Sequence, residues 1–436
     1  VTAREVARRV LERVERGGAW ATPTLDGELV RAGLDERDRR LASELVYGVL
    51  RHRTRIDRAI AAHADLKRTP PRVLGVLRVA AYQLMFLDRV PSYAVVDDAV
   101  AAAREASGAK LGGFTNAVLR KLSTAREPAF PASGRERIEI EYSLPPWILD
   151  ELTAAIGDEP RIAELAAAFA QQPPLVARGN RTRITRDALI EELRAAGVTS
   201  KPIEFALPPV IQKIGPPSAT SSMALELEGL GDPARSASFN AGLWTVQDTG
   251  AQLVGHIAAP HVGKRILDAC AGVGGKSTHL AELTDNTAHI DAADQSDTKL
   301  GLLEQTARRL GLLNIHPYVC DLLDPTAPLG DRYDLIVLDA PCTGLGVLRR
   351  HPDAKWRLKP ADVARLAKLQ AQLLDSVVRR LAPGGTLVYS VCTFTRAEGP
   401  EQIRALVERS KLELVAEHRT WPPEADAFYI ARLQRH

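Results

Sequence analysis

The sequence predicts a multi-domain chain with an all-helical front, a small α+β lobe in the middle and a doubly wound α/β domain at the end. Three observations carry this. Residues 1–127 contain no strand-like run but several stretches with apolar residues at helical spacing. PAFPASG at 128–134 has the composition of a linker. From about residue 254, short apolar runs alternate with helical patterns, as a parallel sheet wrapped by helices requires. The expected bounds are 1–127 for the front, 128–137 for the linker, 138–253 for the lobe and 254–436 for the last domain.

A chain of 436 residues has room for two or three cores. No run approaches 18 apolar residues, so no membrane span is expected. The first 16 residues, VTAREVARRVLERVER, place three Glu among Arg on an amphipathic helix, unlike a secretory signal or transit peptide. Four Cys without a CxxC pair are neither a disulfide framework nor a zinc site, so a reducing cytoplasm and no metal are expected. Residues 1–130 hold 23 Lys+Arg against 16 Asp+Glu, whereas the rest of the chain is net acidic. A basic front fits a polyanionic partner or a solvated helical surface.

In order, Val6, Val10 and Val14 mark the first helix, and Leu41, Leu45, Val46 and Leu50 mark another, followed by RHRTRIDR at 51–58. VLGVLRVAAYQLMFL (73–87) is apolar nearly all round and should be a central buried helix ending before Pro91. YAVVDDAVAAARE (93–105) and GFTNAVLRKL (113–122) complete the front. The lobe opens at IEIEYSLPPWILDELTAAIG (138–157) and continues through the strand-to-loop stretch LVARGNRTRI (175–184) and the helix DALIEELRAAGV (187–198) to FNAGLWTVQDTGAQL (239–253). Arg51, Arg53 and Arg55 in the front, and Arg178, Asn180, Arg181 and Arg183 in the lobe, are candidates to contact phosphates. For the lobe loop, plain exposure is an equal alternative. The last domain reads as strands at RILDAC (265–270), HIDAAD (289–294), HPYVCD (316–321), DLIVLD (334–339) and TLVYSVC (386–392). Helices fall between them, and LELVAEH (412–418) and AFYIARL (427–433) form a closing antiparallel pair.

The turn after the first of these strands, DACAGVGGK, has neither GxGxxG nor P-loop spacing. Its glycines, Gly272, Gly274 and Gly275, let backbone N–H groups approach a small ligand bearing a carboxylate. Cys270, Ala271, Val273 and Lys276 complete that wall. Asp294 ends the second strand, where a carboxylate accepts ribose hydroxyls; Asp321 ends the third and Asp339 the fourth. Three strand-end acids around one turn fit S-adenosyl-L-methionine better than a dinucleotide, although a dinucleotide or a purely structural role stays open.

Cys342 follows the fourth strand and Cys392 the fifth. These strands should be neighbours, which puts both thiols over one crevice. A lone Cys is usually a small buried hydrophobe, and Cys320 is read that way. A thiol pair beside a methyl donor fits methylation at carbon 5 of cytosine. One thiolate adds to carbon 6, carbon 5 then attacks the methyl, and a second group assists release. Asp339 is placed to stabilise the adduct at ring nitrogen 3, and Lys276 to favour a thiolate.

The front resembles the NusB-type fold, whose relatives bind RNA, through YGVLRHRTRID (47–57), LRVAAYQLMFL (77–87) and FTNAVLRKL (114–122). DACAGVGGKSTH, LDAPCTGLGVLRRHPDAKW and YSVCT, in this order, resemble the RNA 5-methylcytosine methyltransferases of the NOL1/NOP2/Sun family. Together the resemblances span nearly the whole chain. They imply a NusB-like front, a Rossmann-like class I methyltransferase domain and S-adenosyl-L-methionine as cofactor. Small-subunit ribosomal RNA is the implied substrate, and a monomer is expected. The family nucleophile maps onto Cys392 and its release thiol onto Cys342. Its cofactor segment maps onto Cys270–Lys276, with Asp294, Asp321 and Asp339 as the acids. The chain departs from the usual AAPGGKT at Val273, which should loosen the turn. Val391-Cys392-Thr393 stands where TCS is usual, Gly399 where Asn is usual, and Leu144 where His is common. The competing readings are a non-catalytic RNA-binding or assembly factor, and a methyltransferase diverted to tRNA or a small molecule.

Overall fold

The computed structural model describes residues 1–124 and 127–436. Two compact units form. One holds Val1–Gln172 and the segment Val347–Leu358; the other holds Pro173–Gly346 and Lys359–His436.

The first unit is helical. Its opening helices are Ala3–Gly17, Ala21–Ala32, Glu36–Arg51, Arg53–Ala61, Pro71–Phe86, Ser92–Ser107 and Ala109–Thr124. Thr2 and Asp35 cap the first and third by accepting from Glu5 N and Asp38 N. Pro71–Phe86 is the central helix expected from the sequence, with Val73, Leu77, Val79, Ala80 and Ala81 buried. Tyr82 packs so closely on the third helix that a Cβ at Gly48 would lie 2.0 Å from its ring. Ala21–Ala32 was not expected from the sequence; only Leu25 and Leu29 give it a periodic apolar face.

The linker composition at 128–134 marks no break in packing. Arg58 donates to Pro128 O and Ala129 O, and Arg55 pairs with Glu127 at 2.7 Å. The helices Arg135–Glu141, Pro146–Ile156 and Glu159–Phe169 therefore belong to this first compact unit, although composition alone assigns them to the lobe.

The segment 347–358 is seated in the same unit. Lys355 Nζ donates to Arg51 O and Trp356 Nε1 to Leu50 O, both at 2.7 Å, and Asp353 accepts from Ala21 N at 2.9 Å. Trp356 joins the helical core, with the Arg53 guanidinium 5.1 Å above its ring. Burial, with the Arg51 charge adding, pulls the Lys355 ammonium down to about 7.

The second unit contains two sheets. The smaller is antiparallel, in the order β2-β3-β1-β4, from β1 (Leu175–Gly179), β2 (Thr199–Pro202), β3 (Ala224–Glu228) and β4 (Trp244–Val246). The helix Arg186–Ala195 covers it, and Ala177, Leu189, Leu193, Leu225 and Trp244 fill its core. The larger sheet uses β5 (Arg265–Ala269), β6 (His289–Asp294), β7 (Ile315–Val319), β8 (Tyr333–Asp339), β9 (Leu381–Val391), β10 (Leu412–Arg419) and β11 (Tyr429–Arg435). Their order is β10-β11-β9-β8-β5-β6-β7. The run from β7 to β9 is parallel, whereas β11 and β10 are antiparallel. This is the expected doubly wound arrangement, with β8 between β5 and β9. The structure moves two boundaries. β7 stops at Val319, leaving Asp321 beyond its end, and β9 begins at Leu381, with an irregular register against β8 around Pro383-Gly384-Gly385.

Candidate active site

A cleft of about 530 Å³ lies at the carboxyl ends of β5, β6, β7, β8 and β9, where an open α/β sheet binds ligands. All four cysteines, Cys270, Cys320, Cys342 and Cys392, line it, and all four are free thiols.

The turn after β5 forms its floor. Cys270 has φ 67°, Gly272 57° and Gly274 84°, left-handed values that cost a side chain most where space is short. A Cβ on Gly274 would lie 2.4 Å from Leu303 Cγ. Val273 stands where the family usually has Pro, yet the turn is tied on several sides. Gly272 N donates to Asp294 Oδ2 at 2.9 Å, Ala271 N to Ala293 O at 2.9 Å and Gly274 N to Ala271 O at 3.0 Å. Asp294 uses its other oxygen to accept from Ser296 N. Asp321 is exposed at the cleft edge and accepts from Leu323 N.

At the catalytic end, β8 delivers Asp339 and β9 delivers Ser390. Asp339 Oδ2 accepts from Lys276 Nζ at 2.6 Å, and Oδ1 accepts from Ser390 Oγ at 2.7 Å. Burial disfavours the Lys276 charge, but the Asp339 carboxylate and its hydrogen bond outweigh burial and raise the ammonium above its ordinary range. Asp268, at the back of the cleft, is pushed up to about 7 by burial. Its Oδ2 accepts from Ser277 Oγ, while its Oδ1 has no protein partner.

Cys342 Sγ and Cys392 Sγ lie 3.3 Å apart. The hydrogen bond to Cys392 and burial, with further charge effects from Cys392, Glu398 and Asp339, hold the Cys342 thiol well above its ordinary range. The two loops are also stitched through backbone, because Ala340 N donates to Ser390 O and Gly346 N to Cys392 O, each at 3.0 Å.

Three of the expected phosphate contacts, Arg178, Asn180 and Arg51, are buried and are corrected. Arg178 is 1% exposed. It forms a buried ion pair with Glu282 at 2.8 Å and donates to Gly275 O at 2.9 Å and Thr278 Oγ1 at 3.0 Å. It braces the glycine turn rather than facing solvent. Asn180 is fully buried and donates to Gly242 O and Leu310 O. Arg181 is half-buried and donates to Ser218 O, whereas Arg183 is exposed and donates to Ala241 O, so neither expectation is overturned. In the first unit Arg51 is buried and donates to Arg349 O at 3.0 Å, Arg53 lies over Trp356, and Arg55 is held by Glu127. The sequence shows an Arg but not its distant partner, so these side chains could not be separated there from exposed ones. Reasoning from sequence also missed Ser390 and the structural weight of Glu398.

Breaking a buried ion pair strands the remaining charge. Arg178→Ala is therefore expected to destabilise the protein by about 3–5 kcal/mol, lowering the midpoint of thermal unfolding. Arg178→Met with Glu282→Leu should recover much of that loss. Unfolding followed by circular dichroism checks both.

Fold and site together define a Rossmann-like methyltransferase with a thiol pair over its cofactor cleft. Residues 256–434 match the family described as 16S rRNA methyltransferase RsmB/F, residues 1–124 the NusB family, and residues 144–210 the ferredoxin-like domain of Methyltr_RsmF/B-like proteins. The chain is 33% identical over 430 residues to a Synechocystis protein named "Probable ribosomal RNA small subunit methyltransferase B", covering 97% of this chain and 91% of that one. It is 32% identical over 444 residues to the ribosomal RNA small subunit methyltransferase B of Salmonella agona, covering 99% and 98%. The crystal structure of PH0851 superposes with a TM-score of 0.80 at 22% identity, covering 100% of this chain and 99% of that chain. NSun6 from Pyrococcus horikoshii gives 0.56 at 21% identity, covering 67% and 98%. The chain belongs to the RsmB/F family of 16S rRNA methyltransferases. It is an RNA methyltransferase, with S-adenosyl-L-methionine as its cofactor. Among the described residues no helix is long and apolar enough to cross a membrane, and no cluster of three or more His, Cys, Asp or Glu is arranged to hold a metal ion.

Proposed function

We propose that this enzyme methylates carbon 5 of a cytosine in small-subunit ribosomal RNA through a covalent bond from Cys392 to carbon 6. The observation that carries the reading is the 3.3 Å approach of Cys342 and Cys392 in the cleft that also holds Lys276 and Asp339. The residues present fit the cofactor. The turn Cys270–Lys276 and the acids Asp294 and Asp321 wall the cleft, and the unpartnered Asp268 Oδ1 suits an ammonium donor. When bound, S-adenosyl-L-methionine supplies an electrophilic methyl group.

The protein's part is acid–base and nucleophilic. Cys392, which follows β9 at the position of the family nucleophile, makes the attack, and the raised Cys342 thiol beside it favours its protonated form at that stage. Asp339, held by Lys276 and Ser390, relays a proton from solvent to ring nitrogen 3 as the adduct forms and takes it back on release. Once Cys392 is bonded to carbon, its hydrogen bond and its charge no longer hold the proton on Cys342. Cys342 then gives its proton to solvent, and the resulting thiolate takes the proton from carbon 5 as the carbon–sulfur bond breaks and Cys392 leaves as a thiolate. The base must be unpaired or flipped from its stack to reach the cleft. Free thiols throughout support a cytoplasmic setting, and the reading takes a monomer as the working form.

The test is to incubate the enzyme with unmodified small-subunit RNA and methyl-labelled cofactor, then to digest the RNA to nucleosides. Label in 5-methylcytidine is expected. Binding without label would favour the assembly-factor reading, and label only on tRNA would favour another substrate.

A further inference from the structure

We propose that Glu398 is a positioning residue for the thiol pair, holding the loop that carries Cys342 and the turn that follows Cys392 in register. The inference rests on the reaction proposed above for its catalytic consequence, but not for its geometry. Glu398 is fully buried. Its carboxylate receives four hydrogen bonds from uncharged donors. Oε1 accepts from Thr343 N at 2.8 Å and Gln370 Nε2 at 3.1 Å; Oε2 accepts from Thr343 Oγ1 at 2.6 Å and Thr395 Oγ1 at 2.8 Å.

The donors reveal what is being held. Thr343 is bonded to Cys342 in the chain, so its N–H and hydroxyl fix the loop after β8. Thr395 fixes the turn after β9, three residues beyond Cys392. Thr343 Oγ1 also meets Thr393 Oγ1, beside Cys392, at 3.0 Å. Gln370 brings in the helix Pro360–Arg379 and donates to Pro341 O at 2.9 Å, one residue before Cys342. Tyr389 OH, from β9, donates to Glu398 O at 2.6 Å and anchors the acid itself. One carboxylate thus spans both thiol-bearing segments.

A carboxylate is an expensive choice for a buried staple, because desolvating its charge costs several kcal/mol even when it is well hydrogen-bonded. Its charge has a use here. A negative group beside Cys342 disfavours a second thiolate there, and Glu398 is among the groups that keep the Cys342 proton in place. Staple and charge both serve one arrangement, with Cys342 protonated and 3.3 Å from Cys392.

Two variants separate the roles. Glu398→Gln keeps the shape and can keep four hydrogen bonds, because the threonine hydroxyls can rotate to accept from the amide. Glu398→Ala removes both staple and charge. Phenylarsine oxide, which needs two thiols within reach of one arsenic atom, reads the register of the pair without RNA or methyl transfer. Cys320→Ser and Cys270→Ser in the background confine the reading to Cys342 and Cys392. Glu398→Ala is expected to slow capture by about 100-fold, the scale of an ångström's misplacement, and to lower kcat similarly while KM for the cofactor stays within about twofold. Glu398→Gln should capture the arsenical nearly as wild type does, with the pH profile of Cys342 alkylation moved to lower pH. Wild-type capture and kcat in Glu398→Ala would overturn the proposal. If that variant does not fold, Thr395→Val, which removes only the donor from the turn after β9, takes its place, and wild-type capture and kcat there would overturn the proposal instead. Loss of capture in an enzyme that never labels RNA would leave the positioning intact and remove only the proposed reaction.

Discussion

Cys392→Ala is expected to abolish RNA methylation while cofactor binding persists. Carbon 5 of cytosine does not attack a methyl group unless carbon 6 has first taken a nucleophile, which Cys392 supplies in the proposed reaction. Cys342 is close enough, but without Cys392, burial and the charges of Glu398 and Asp339 still favour its protonated form. Removing a nucleophile from a concerted catalytic group typically costs on the order of 10⁴-fold or more. The cofactor wall does not depend on Cys392, since the turn is tied to Asp294, Ala293 and Arg178. Labelled methyl transfer with equilibrium cofactor binding on the same preparation checks both halves. Turnover near the wild-type rate would refute the nucleophile assignment.

Cys342→Ala is expected to behave in the opposite way, accumulating a protein–RNA species that survives denaturing gels. Cys392 can still add to the base and carbon 5 can still be methylated. The proton on carbon 5 then has no base 3.3 Å from the attacking sulfur to remove it. Loss of a general base costs about 10²–10⁴-fold, so turnover falls while adduct builds. Peptide mapping of the cross-link should find RNA on Cys392. Normal turnover without an adduct would remove the release role of Cys342.

The contrast between what the sequence revealed and what it hid has a physical cause. β8 and β9 were legible because buried parallel strands are written as unbroken aliphatic runs. Once β8 and β9 are neighbours, Asp339, Cys342 and Cys392 must converge. Arg178 was misread because its burial depends on Glu282, 104 residues away, and neither residue carries a local mark of that pairing. Glu398 was passed over for a related reason. It lies in an irregular stretch without periodicity, and its importance comes from Thr343 and Gln370, which only the folded chain brings near. The start of β9 was placed late because Pro383-Gly384-Gly385 looks like a stop, whereas the strand begins before it with irregular pairing to β8.

The twelve residues from Val347 to Leu358 limit how this protein can be dissected. They leave the loop beyond Cys342 and return to the helix beginning at Pro360, yet their hydrogen-bonding partners are Gly18, Ala21, Leu50 and Arg51. A gene begun at residue 173 to yield a minimal catalytic fragment would strip Lys355 and Trp356 of their partners Arg51 and Leu50. Such a fragment would carry a bare indole and an unpaired ammonium on a tether a few residues from Cys342. Shortening that tether to a glycine bridge is the more sensible first step for anyone seeking a smaller enzyme.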